Sequence, residues 1–147
     1  MGKVLIADAE GDSRSALMWF LLSADFRVEA VSNGLDAAAA LDNDAPDVAL
    51  ISLHLPVFDG RRLIDHMRSS PRLCRVPVVA MAPSTPFAPL PGGVAFLKKG
   101  SKPEEILTVI AQTTHGQFVN VPRDGESPVA TVLSPALARP LVRPGRA

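Results

Sequence analysis

The sequence predicts an α/β fold: a doubly wound, five-stranded parallel sheet with helices on both faces. Three observations predict it. Short apolar runs without polar alternation recur between residues 3 and 97, as expected of strands buried on both faces. Stretches with apolar residues at helical spacing separate them. Strands alternating with helices favour parallel pairing through right-handed crossovers. A chain of 147 residues also buries roughly 68–70% of its unfolded surface, enough for a core without staples.

The elements follow in order. Lys3–Ala7 is a buried-type strand. Asp12–Ala24 places Leu17, Phe20, Leu21 and Ala24 on one helical face, with Asp12 as expected N-cap. Phe26–Val31 is the second strand, and the alanine-rich Asn33–Asn43 the second helix. Asp47–Ser52 is the third strand. Gly60–Ser69 carries Leu63, Ile64 and Met67 at helical spacing. Pro77–Met81 and Val94–Leu97 are the fourth and fifth strands. Pro103 opens the last helix, Glu104–Thr114, with acids in its first turn. The stretch between Ala82 and Lys99 holds Pro83, Pro86, Pro89 and Pro91 and the Gly92-Gly93 pair. Proline costs about 3 kcal/mol inside a helix. A helix there is therefore shortened or replaced by a proline-braced loop, with Phe87 and Leu90 as its apolar contacts. The expected folded domain is 1–118. Residues 119–147 contain Pro122, Pro128, Pro135, Pro140 and Pro144 with several arginines, and read as a flexible, mildly basic extension.

Composition narrows the function. Fifteen basic and fifteen acidic residues cancel, which excludes nucleic-acid binding driven by bulk charge. The single cysteine, Cys74, excludes a disulfide framework. No apolar run is long enough to span a membrane, and no signal-peptide layout opens the chain. The expected location is the cytoplasm. In a sheet of this kind the site lies at the carboxyl ends of the strands, here the loops at 8–11, 52–56, 82–84 and 98–100.

At those loops the sequence resembles the receiver domain of bacterial two-component response regulators. The resemblance covers about residues 3–115. It rests on KVLIAD at 3–8, Asn33-Gly34, Pro46-Asp47, the run Leu55-Pro56-Val57-Phe58-Asp59-Gly60, Val76-Pro77-Val78-Val79 and Phe96-Leu97-Lys98-Lys99. It implies a phosphorylation switch: an acceptor aspartate, two acids holding Mg2+, a hydroxyl, a lysine and an aromatic residue. On these positions the acceptor is Ser52. The first acid is Asp8, but the second position is Ala9, with Glu10 beyond it. The hydroxyl position is Ala82, the lysine is Lys99 and the aromatic is Phe96. The acceptor carboxylate, the second acid and the hydroxyl are thus missing, so the resemblance is to a degenerate receiver, a pseudo-receiver.

A serine hydroxyl needs a base to act as a nucleophile. His54 lies two residues on, but no strained elbow surrounds Ser52, and His54 is expected to be a surface loop residue. Mg2+ binding is expected to be weak or absent and no other cofactor is expected. Lys99 is expected to persist as the ion-pair partner of Asp8. With Ala82 small, Phe96 is expected to be buried against it in one fixed state.

Two surface features depart from the family pattern. The 83–93 loop is one. The other is a second apolar face on the first helix, formed by Met18, Trp19 and Leu22. Either the C-terminal extension covers that face or it binds a partner or a second copy; Trp is favoured at such interfaces. The expected function is a phosphorylation-independent protein-interaction module in signal transduction, not an enzyme, with another signalling protein or itself as partner. The alternatives are a working phosphorelay receiver with a non-standard acceptor and a small-molecule-binding flavodoxin-like domain.

Overall fold

The interior strands are short, mostly apolar runs that bury both of their faces, so they need a helix layer above and below them. The computed structural model describes residues 2–114. The expected boundary at 118 and the 119–147 extension lie outside the described residues. The strands are β1 (Lys3–Ala7), β2 (Arg27–Val31), β3 (Val48–Ser52), β4 (Val78–Ala82) and β5 (Ala95–Lys98). The helices are α1 (Gly11–Ser23), α2 (Gly34–Asn43), α3 (Gly60–Arg68) and α4 (Pro103–Thr113). All strand pairs are parallel, in the order β2-β1-β3-β4-β5. β3 and β4, in the middle of the sheet, are buried at every position.

The helices form two layers. Ala37 and Leu41 of α2 and Leu63, Ile64 and Met67 of α3 pack on one side, over Leu5, Ala49, Ile51 and Ala80. Leu17 and Leu21 of α1 and Val109 and Ile110 of α4 pack on the other, over Val4, Ile6, Leu50 and Met81. The chain reverses its winding direction between β1 and β3, and such a switch point leaves a crevice at the carboxyl ends of those strands. Asp8 and Ser52 sit there.

Several boundaries move by a residue or two. Phe26 is buried just ahead of β2 rather than inside it. Asp12 does not cap α1. Glu10 occupies the N-cap position without a side-chain cap bond, and Asp12 lies in the first turn. The entrance of α1 is tied instead to Asp8, which accepts the Glu10 amide and the Ser13 hydroxyl. No helix forms between β4 and β5, in keeping with the prolines there. Leu90 of that loop packs against the α2–α3 core. Phe87, a candidate interaction residue, stays outside the core and is fully exposed, at 103%.

The turn from β3 into α3 brings two backbones together. A Cβ at Gly60 would overlap the carbonyl oxygen of Ser52, and one at Gly34 would overlap that of Phe58. Between them Val57 is held at φ +72°, a left-handed conformation unfavourable for a β-branched side chain. The loop carrying Ser52 is therefore clamped between α2 and α3. Gly60→Ala should lower stability by more than about 3 kcal/mol, since backbone must move. Gly92→Ala, which meets open space, should change it by less than about 0.5 kcal/mol. Urea midpoints of the two variants compare these directly.

Candidate functional site

β1 is followed directly by Asp8, whose side chain is 1% exposed. A buried carboxylate needs several donors, and three neighbours supply them. The Glu10 amide donates to Oδ1 at 3.0 Å and Lys99 Nζ to the same oxygen at 2.7 Å. The Ser13 hydroxyl donates to Oδ2 at 2.7 Å. The Arg14 guanidinium adds a bond to the Asp8 carbonyl at 2.7 Å. Lys99 arrives from just beyond β5, where its own amide bonds the Ala82 carbonyl at 2.9 Å. Its ammonium also lies 3.3 Å from Glu10 Oε1. Gly100, which follows it, sits at φ +89°, a backbone state that suits glycine.

Ser52 closes β3 and is 1% exposed. Its hydroxyl accepts the His54 amide at 3.3 Å. His54 itself is exposed, so the contact between these two residues runs through backbone. Ala82 closes β4, 3% exposed. Phe96 is half-buried and packs against the cluster that includes Ala82, with Leu90 and Val94 beside it. The full burial expected of Phe96 is not reached. The loop at 83–93 leaves a cleft of about 670 Å³ along it, lined also by Pro86 and Lys98.

That loop is held by a residue the sequence did not single out. Arg61, in the first turn of α3, donates to the carbonyls of Ala88 at 2.8 Å and Pro89 at 3.0 Å. The two carbonyls directly follow Phe87, so the exposed ring rides on a fastened backbone. Nothing in the local pattern around Arg61 announces a bond to a residue 28 positions away. Beneath the loop a cavity of about 510 Å³ opens toward His54, Asp59 and Ala82.

Residues 4–111 match the family model of the response regulator receiver domain. The chain belongs to that family. It is 31% identical over 124 residues to the transcriptional regulatory protein GltR of Pseudomonas aeruginosa, covering 80% of this chain and 51% of that protein. It thus spans about half that regulator's length. Protein Rrf1 of Nitratidesulfovibrio vulgaris is 28% identical over 74% of this chain and 79% of its own. Among solved structures, it resembles the receiver domain of a Pseudomonas aeruginosa sensor histidine kinase with magnesium in its active-site cleft. The TM-score is 0.70 at 21% identity, over 77% of this chain and 97% of that one. The Vibrio cholerae chemotaxis protein CheY4 also scores 0.70, at 23% identity, over 77% and 98% of the two chains. At these identities the structures speak for the fold.

The receiver family implies magnesium beside the acceptor, but the residues here do not fit the ion. Mg2+ takes near-octahedral oxygen ligands. Both Asp8 oxygens are already bonded, one of them to an ammonium. The second acid position is Ala9 and the acceptor position is Ser52. Among the described residues no group of three or more His, Cys, Asp and Glu is placed to hold a metal.

Of the other positions singled out in the sequence, Trp19, Leu22 and Phe87 are exposed. Met18 and Leu90 are not free surface: both are partly buried and pack against the two cores.

Removing one partner from a buried ion pair costs about 3–5 kcal/mol because the other is left uncompensated. Lys99→Met should therefore destabilise the domain by roughly that amount. The double variant Asp8→Asn/Lys99→Met should lose clearly less than the sum of the two singles. Additive losses in urea unfolding would mean that the pair is not coupled.

Proposed function

We propose that this receiver domain signals without being phosphorylated and acts by binding another protein in a two-component pathway. The observation that carries the reading is the Asp8 carboxylate bonded on both oxygens by Lys99, Ser13 and the Glu10 amide. With Ser52 at the acceptor position, the pocket is filled by an internal ion pair. In a phosphorylatable receiver the lysine and the acids serve an incoming phosphoryl group and its metal. Here the lysine neutralises the acid, and Ala82 offers no hydroxyl to be drawn inward. Enzymatic turnover and a cofactor are not part of this reading. The domain is placed in the cytoplasm, where two-component receivers act.

The surface for a partner is the face of the 83–93 loop. Phe87 is an apolar anchor standing clear of the domain, and anchors of this kind dominate interface energies. Arg61 and the flanking prolines hold it in one position, which lowers the entropy lost on binding. Half-buried Phe96 and the cleft beside Leu90 extend the same face.

Two measurements test the proposal. Adding beryllofluoride with Mg2+ should leave amide resonances around Asp8, Ser52 and Lys99 unmoved, in the wild type and in Ser52→Asp alike. A saturable shift in the wild type would overturn phosphorylation independence. Phe87→Ser should weaken capture of a partner at least tenfold, about 1.4 kcal/mol, with an unchanged urea midpoint. Undiminished capture would remove Phe87 from the interface.

A further inference from the structure

α1 and α4 share one layer but rest on different strands, α1 on β1 and β2 and α4 on β4 and β5. A cavity of about 330 Å³ remains between them, at the end where α4 starts. Protein interiors rarely leave voids larger than a water molecule, and ligand pockets begin at about 300 Å³. The walls are apolar: Leu17 and Phe20 of α1, Met81 of β4, Leu97 of β5 and Ile106 of α4. Small residues keep the space open. Ala16 lines it from α1. Gly100 lies at its rim, where an added Cβ would meet nothing within 4 Å.

The charged groups of the lining gather at the mouth: Glu10, Lys98 and Lys99. Lys98 is exposed and makes no ion pair among the described residues. Lys99 holds two acids unequally, Asp8 at 2.7 Å and Glu10 at 3.3 Å. Asp8 is buried, whereas the Glu10 side chain is 66% exposed, and an exposed ion pair is held weakly. Glu10 is thus a carboxylate resting loosely on a cation at the mouth of an apolar cavity. With both acids in place the mouth is neutral. Once Glu10 swings out, Lys98 and Lys99 outnumber Asp8, and one incoming anion restores the balance.

We propose that this cavity binds a small amphipathic carboxylate. Its apolar chain lies between α1 and α4, and its head takes the place of Glu10 beside Lys98 and Lys99. An apolar enclosure with a few polar groups at one end is the usual form of a small-molecule site. The chain supplies affinity through burial, and the lysines fix which end enters last. The Asp8–Lys99 bond is kept, so this site holds or falls separately from the proposed phosphorylation independence.

Octanoate is the probe, titrated into the full-length protein while amide resonances are followed by NMR. Saturable shifts should centre on Ala16, Leu97, Gly100 and Ile106. Hexanoate, two methylenes shorter, should bind roughly tenfold more weakly. Uncharged 1-octanol should also bind at least tenfold more weakly, and acetate should shift nothing. Glu10→Gln removes the competing carboxylate and should tighten octanoate several-fold, whereas Lys98→Gln should weaken it several-fold. Ala16→Phe fills the cavity from α1 and should abolish the saturable shifts, with circular dichroism unchanged. Equal affinity for octanoate and 1-octanol would overturn the carboxylate assignment. Absence of saturable shifts, weaker binding in Glu10→Gln, or undiminished binding in Ala16→Phe would overturn the site.

Discussion

An acidic side chain buried at the end of a central strand has to be met by donors from its own protein, and much of the site follows from how Asp8 meets that demand. Lys99, Ser13 and the Glu10 amide converge on its two oxygens. Those bonds connect the end of β1 to the start of α1 and to the loop after β5. Through the Lys99 amide they also reach the end of β4. Three strand ends and a helix start are thus held together by one carboxylate. At this end of the sheet the carboxylate acts as a structural joint. Opening it to a metal or phosphoryl group would first require pulling a partly buried ammonium away from its buried carboxylate.

The other side of the crevice is built around glycine and proline. Gly34 and Gly60 let α2 and α3 close on the turn after β3 to distances that no side chain would permit. That fixes Ser52 and the strained Val57 in one arrangement. Across from them, prolines keep 83–93 from becoming a helix, and Arg61 fastens the resulting loop to α3. The two devices are linked, because Gly60 and Arg61 are adjacent. One turn of α3 therefore positions both the acceptor-equivalent serine and the segment that presents Phe87. The loop and the end of β3 thus share one support in α3.

The apolar surface is divided between two places with different physics. Phe87 projects from a fastened loop and suits insertion into a partner. Trp19 and Leu22 form part of an uncharged helix face. A chain with no net charge has little long-range electrostatic steering.

Composition and periodicity alone determined the α/β class, nearly every element and the missing helix before β5, while the residues at the phosphorylation positions were legible only through the resemblance to the receiver family. Those features are local: strand runs, proline content and the identity of a residue at a strand end are written in consecutive letters. Lys99 and Asp8 could also be paired on paper, because parallel strands bring their carboxyl ends to one edge. What only the tertiary structure decided are contacts across long separations and the exposure of particular side chains. Asp12 has the residue type of a helix cap, yet α1 is tied down by Asp8 instead. Phe87 and Leu90 look equivalent in sequence, yet one packs and the other faces solvent. Arg61 carries no local mark of its bonds to Ala88 and Pro89. These outcomes depend on which groups the folded chain brings within a few ångströms of one another, and spacing along the chain does not encode that distance.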